Sequence, residues 1–191
     1  MNETGTRMNT PQRQKAWELL CRYTQSDSLR KHALAVESAM RFYAGQFGED
    51  IEYWGTVGLL HDFDYERFPD NHPQAGGGIL RNEGYDEAFI RAVMSHVPST
   101  GIARDDRLAK TLYAVDELCG FLTAVALVRP SRKIADVEAK SVIKKMKDKA
   151  FARQVSREDI IKGAEELGLP LAEHIDNVRT AMSSIADELG L

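Results

Sequence analysis

The sequence predicts an all-α, single-domain helical bundle, on three observations. Apolar residues recur at three- and four-residue spacing along most of the chain. No stretch alternates apolar and polar residues as a half-buried strand would. The six prolines fall mostly where helices would begin or end. A length of 191 residues suits one hydrophobic core.

The elements follow in order. A first helix is expected from about Pro11 to Tyr23, with Thr10 as cap and Pro11 at its first position. Asp27 can cap a second helix reaching Phe47, whose inner face reads Leu29, His32, Val36, Met40, Tyr43, Phe47 and which Gly48 stops. The third, Ile51–Leu60, is apolar on most sides, and Gly55 and Gly58 admit close neighbours, so it belongs mid-bundle. It runs into His61-Asp62 and a loop, Phe63–Pro69. A fourth helix is expected from about Asp70–Pro73 to Gly84, and a fifth from Asp86 to Val97, broken by Pro98. A turn over Pro98–Ala103 precedes a long sixth helix, Asp105–Val128. A basic seventh covers Ile134–Lys149. An eighth, Arg157–Leu167, has Ser156 as cap and Asp159 in its first turn. The last runs from Leu171 to Leu189. No linker divides the chain. Residues 27–128 form the expected core of the site, and helices in 131–191 a buttress or lid.

Charge and composition exclude several functions. A net charge of −4 disfavours a whole-surface nucleic-acid binder, so no nucleic-acid partner is expected. Two cysteines, Cys21 and Cys119, make neither a disulfide framework nor a zinc knuckle and read as reduced thiols. No apolar run is long enough to span a membrane, and the polar start MNETGTRMNT reads as a frayed tail without a secretory core. The expectation is a cytoplasmic protein; its oligomeric state is left open.

The chemistry lies in a few residues. Four of the five histidines fall between residues 32 and 96. His32 lies on the inner face of the second helix, His61 ends the most buried one, His72 shares a face with Gly76 and Ile79, and His96 one with Phe89 and Val93. Asp116 sits mid-helix beside Leu108, Leu112, Val115, Cys119 and Leu122, with no cation three or four residues away. Singly, each inward histidine reads as a core residue. Jointly, four histidines and two aspartates on inward faces point to a shared cation, because an unpaired buried carboxylate costs several kcal/mol or protonates. Imidazole and carboxylate donors without thiolates suit divalent metals of the first transition row. Six ligands exceed one tetrahedral zinc and suit two metals sharing a carboxylate. Asp62, next to one ligand and central in chain order, is the expected bridge. Up to two metals per chain are expected, iron or manganese ahead of zinc, with magnesium compatible.

The order His32, His61-Asp62, Asp116 resembles the defining motif of the HD-domain superfamily of metal-dependent phosphohydrolases. The intervening His72 and His96 resemble the expanded set of its two-metal members, as in HD-type diadenosine tetraphosphate hydrolases. The stretches AVDELCGFLTAVALVRPS and VIKKMKDKAFA are similar to those of small HD proteins. Phe63-Asp64-Tyr65 replaces the Ile-Gly of the HDIG variant, and no GYP triplet follows, which disfavours cyclic-dinucleotide hydrolysis. The resemblance implies a helical fold of HD type and two metal positions. His32, His61, Asp62 and Asp116 would hold one metal; Asp62, His72 and His96 would hold the other. A metal-activated hydroxide would then attack a phosphoester or phosphoanhydride of a small, nucleotide-like molecule. A di-iron oxygenase of the HD type and a non-enzymatic nucleotide sensor are the alternatives.

Other residues are candidates for supporting roles. Asp64, in the loop after the bridge, either orients a histidine or acts on a leaving group. Arg67, in the same loop, is a candidate for meeting phosphate. Lys144 and Lys147, in a basic stretch, are candidates for drawing in a polyanionic substrate. Gly76-Gly77-Gly78 reads as tight packing near the metals, Cys119 as a core residue, and His174 as lying outside the site among polar neighbours.

Overall fold

A computed structural model describes residues 13–191, so the expected cap Thr10, the Pro11 start and the polar tail lie outside the described residues. Among the described residues the chain is helical, with no strand. The helices are α1 (Arg13–Tyr23), α2 (Asp27–Phe47), α3 (Ile51–Leu60), α4 (Gln74–Asn82), α5 (Glu87–Ser95), α6 (Arg107–Leu127), α7 (Ala139–Met146), α8 (Arg157–Leu167), α9 (Leu171–Ser183) and α10 (Ala186–Leu189). Short 3-10 turns cover Pro69–Asn71, Pro98–Thr100 and Ile134–Asp136.

Local chemistry sets most of these boundaries. The Leu29 N–H donates to Ser26 Oγ, so Ser26 rather than Asp27 caps α2, and Gly48 closes it in the left-handed region at φ 72°. Asp50, Asp86 and Asp106 accept from the N–H three residues on, which starts α3, α5 and α6. Three expected helices are shorter or broken. The fourth begins only at Gln74, after the 3-10 turn. The basic seventh splits because Ile134 and Val137 are both buried in the core, a spacing met by a tight turn and an extended residue. The last helix breaks between Ser183 and Ala186, where Ile185 leaves the helical region.

The core lies along α2 and α6. α2 packs against α3, α6 and α9, and α6 against α2, α5, α8 and α9, so α8 and α9 from the segment after Pro130 pack directly on the pair. Gly58 lets α3 approach α2: a Cβ there would lie 2.8 Å from Met40 Cγ and 3.0 Å from the Val36 carbonyl. Hence α3 lies close against the helix carrying His32 and delivers His61 from its C-terminal end. No described helix is long and apolar enough to cross a membrane.

Candidate metal centre

The six residues expected to act as ligands converge. One donor atom each from His32, His61, Asp62 and Asp116 lie within 4.8 Å of one another, and the same holds for Asp62, His72 and His96. Asp62 belongs to both groups. His32 comes from α2, His61 and Asp62 from the end of α3, His96 from the end of α5 and Asp116 from the middle of α6. Phe63, fully buried and edge-on to Tyr23, anchors the loop after Asp62 in the core, and Thr24 Oγ1 donates to its carbonyl.

Hydrogen bonds fix which histidine nitrogen faces inward. His61 Nδ1 lies 2.8 Å from the Gly58 carbonyl, and His96 Nδ1 bonds the Val93 carbonyl. A carbonyl only accepts, so in both rings Nδ1 carries the proton and the Nε2 lone pair points the other way. His72 Nδ1 donates to Asp64 Oδ1 at 2.8 Å. The three Nε2 atoms then face carboxylates. His72 and His96 are each 3.1 Å from Asp62 Oδ1, and His61 is 3.4 Å from Asp116 Oδ1 and 3.5 Å from Asp62 Oδ2. His32 Nε2 is 3.0 Å from Asp116 Oδ1.

This arrangement demands positive charge. His61 Nε2 is buried and has no hydrogen-bond partner, an orphan of the kind protein interiors avoid. It faces two anionic oxygens, and lone pair against lone pair is repulsive unless a cation lies between. The proton affinities agree. Burial lowers the His72 pKa, but Asp62 and Asp64 outweigh it and push it up to about 9. Burial likewise opposes charge on His61, yet Asp62 and Asp116 hold its pKa well above the ordinary value. Burial raises the Asp62 carboxyl, and His61, His72 and His96 more than offset that, holding it well below the carboxylate range. Protons are drawn to where a divalent metal would sit. The donor set therefore fits divalent metal, in either of two groups that share Asp62.

Asp64 is almost wholly buried, at 1% exposure, with both oxygens engaged: Oδ1 by His72 and Oδ2 by the Gly76 N–H at 2.7 Å. Of the two roles read from the sequence, this geometry serves orientation of His72, and Asp64 is not in the lining of the cavity where a leaving group would lie. Gly76 makes the contact feasible, since a Cβ there would lie 2.8–2.9 Å from the Asp64 carboxylate atoms.

The residues predicted to bind substrate, Arg67, Lys144 and Lys147, are not in the lining of the cavity beside the ligands. Arg67 is exposed and stacks over Tyr23 and Phe68. Lys144 lines a separate groove with Val125, Arg129 and Lys145. Lys147 is exposed and lies outside the lining of the metal-side cavity. The cause is the amphipathicity of α7: Val142 is buried and the helix packs on α9 and α6, which turns its lysines outward. His174 is not among polar neighbours but fully buried, bonded to Tyr43 and the Ala114 carbonyl, and outside the cluster. Cys119 is a buried core residue, as expected.

The ligands open onto a cavity of about 410 Å³. Sequence reasoning missed Tyr65, Tyr113, Glu117 and Asp159, which line it. Tyr113 Oη donates to Asp159 Oδ1 at 2.6 Å, and Glu117 Oε2 accepts from the Ser156 N–H at 3.0 Å. Burial, reinforced by Asp116, pushes the Glu117 carboxyl up to about 7. The one available signal was position: Glu117 follows a ligand, and Asp159 opens a helix.

The family model of the HD domain matches residues 29–120, a span that holds all six cluster residues. Residues 29–120 are an HD domain. HD domains make up a superfamily of metal-dependent hydrolases, and the His/Asp cluster of this one is a candidate site for divalent metal. No curated protein matches the chain, and nothing supports the narrower likeness to diadenosine tetraphosphate hydrolases.

Proposed function

We propose that this HD-domain protein hydrolyses a phosphoester or phosphoanhydride of a small phosphorylated molecule, using up to two divalent transition metals. Iron or manganese is favoured over zinc by the mixed imidazole and carboxylate donors. The observation that carries the reading is the buried, unpartnered His61 Nε2 facing Asp62 and Asp116. His32, His61, Asp62 and Asp116 would hold one ion, and Asp62, His72 and His96 the other. Bound metals would bring the pKa of water toward neutrality and offset charge on the phosphoryl oxygens.

The chain's own residues supply the rest. Asp64 and the Gly58 and Val93 carbonyls hold three imidazoles with Nε2 inward, so no ring must turn as the site is filled. Tyr65 packs edge-on to His72 and lines the cavity beside it. The test is metal analysis of protein prepared without chelators, then a screen of phosphate esters and nucleotides with that metal restored. Close to two metal equivalents and metal-dependent phosphate release are expected. Failure to retain metal would overturn the reading. Oxygen-dependent turnover without phosphate release would replace it with the di-iron oxygenase alternative.

A further inference from the structure

The wall of the cavity beyond the ligands is acidic. Glu117, Asp159, Tyr113, Tyr65 and Gln154 line it, and no lysine or arginine does so among the described residues. Nearby guanidinium groups are engaged elsewhere. Arg104 lies 3.7 Å over the Tyr113 ring, but its nitrogens fork onto Glu166 at 2.8 and 3.0 Å. Arg157 donates to the carbonyls of Asp148, Phe151, Ala152 and Val155. The N-terminus of α8, where an anion could otherwise settle, is already met by the chain's own acids. Its Ser156 N–H goes to Glu117, and Glu158 and Asp159 stand in its first turn.

A nucleoside polyphosphate needs cations or free N–H groups for each phosphate beyond the one on the metals. This wall offers carboxylates, which accept and repel anions. Asp159 is held at Oδ1 by Tyr113, itself steadied by the Arg104 stack, and its Oδ2 has no protein partner among the described residues. Glu117 is tied through Oε2 only. That the cavity receives a ligand at all rests independently on the orphan His61 Nε2 behind its metal end.

We infer that the substrate is a monophosphate whose leaving group carries hydrogen-bond donors, hydroxyl or amino, accepted by Asp159 and Glu117, and that nucleoside polyphosphates are excluded. The inference rests on the hydrolase reading and narrows its substrate class. Asp159 and Glu117 are specificity residues here, and Tyr113 is a positioning residue.

The test compares glycerol phosphate, ethanolamine phosphate, methyl phosphate and ADP on the metal-loaded protein, read as kcat/KM and as the rise in Tm each ligand produces. The two donor-bearing esters are expected to exceed methyl phosphate and ADP by about tenfold or more, the worth of one hydrogen bond to a charged group. Whichever of the two leads identifies the donor as hydroxyl or ammonium. Asp159→Asn should erase most of that advantage, chiefly through a raised KM for the donor-bearing esters. Tyr113→Phe, which keeps the ring and its packing, should reduce it in the same direction and guards against misfolding of the first variant. Equal values for methyl phosphate and the donor-bearing esters would overturn the inference. So would ADP as the best substrate, with the hydrolase reading left standing. If no ester is hydrolysed with any metal, the hydrolase reading fails, and the Tm ranking alone decides the inference.

Discussion

Two sets of buried histidines in this molecule have opposite fates. His174 is fully buried between α9, α2 and α6, and the protein satisfies both of its nitrogens. Its Nε2–H donates to the Ala114 carbonyl at 2.9 Å, and its Nδ1 accepts from Tyr43 Oη at 2.6 Å. His61, equally buried, spends Nδ1 on the Gly58 carbonyl and leaves Nε2 facing two carboxylates with no proton donor between them. The carboxylates divide the same way. Glu37, 3% exposed, is bonded by both Arg13 and Arg41, whereas Asp62 and Asp116 pair with histidines and, among the described residues, with no lysine or arginine. Burial therefore does not mark a functional residue in this fold. A lone pair left over after the protein's own hydrogen bonds are counted does.

The largest effect that could break this contrast is at the shared carboxylate. Asp62→Ala should abolish activity and weaken both metal positions, measured by metal analysis and phosphate release. His174→Gln should leave metal content intact while lowering stability by about 1–3 kcal/mol, because Tyr43 Oη and the Ala114 carbonyl lose their well-placed partner. Chemical denaturation of chelator-treated protein reads that loss. Metal loss in His174→Gln would end the distinction.

Acid and base should pull the two regions in opposite directions in metal-free protein. The His72 pKa, which burial lowers but Asp62 and Asp64 push up to about 9, exceeds its unfolded value. Its stabilisation is thus complete below about pH 6.5 and is lost as pH rises toward 9. The His174 pKa is lowered by burial, despite the Ala114 carbonyl. Its contribution is complete above about pH 6.5 and lost as pH falls. Thermal melts across pH 5–9 (roughly the span of the imidazole titrations) check both. His72→Gln should remove the alkaline decline, and His174→Gln the acid one. Metal affinity should rise with pH, since metal displaces those protons.

A smaller effect tests the support behind the ligands. Asp64→Asn keeps the shape but weakens the acceptor for His72 Nδ1–H, and should lower affinity at the second metal position by about 10–100-fold. Titration of that position in the variant checks it. An unchanged affinity would mean that the Gly76 N–H bond is the whole role of Asp64.

The helices were largely legible because their signals are local. The caps Asp50, Asp86, Asp106 and Ser156 lie within four residues of the N–H groups they satisfy, and Gly48 ends α2 with its own backbone. The breaks at Val137 and Ile185 were not, because only packing against distant helices decides that those side chains turn inward. The cluster was legible because histidine and aspartate on an apolar face conflict with their surroundings wherever that face packs. Glu117 and Asp159 carry no such conflict. An acid on a helix reads as solvated until the crossing of α6 and α8 sets both on one cavity. For Lys144 and Lys147, which lie outside the lining of that cavity, a basic stretch states its charge but not the direction it faces.

Titration of manganese or iron(II) into chelator-treated protein tests whether two metals take up the lone pairs the protein leaves unspent. Two equivalents are expected for wild type and for His174→Gln, about one for His96→Ala, and no tight binding for Asp62→Ala. Two equivalents retained by Asp62→Ala, or metal lost from His174→Gln, would contradict that expectation.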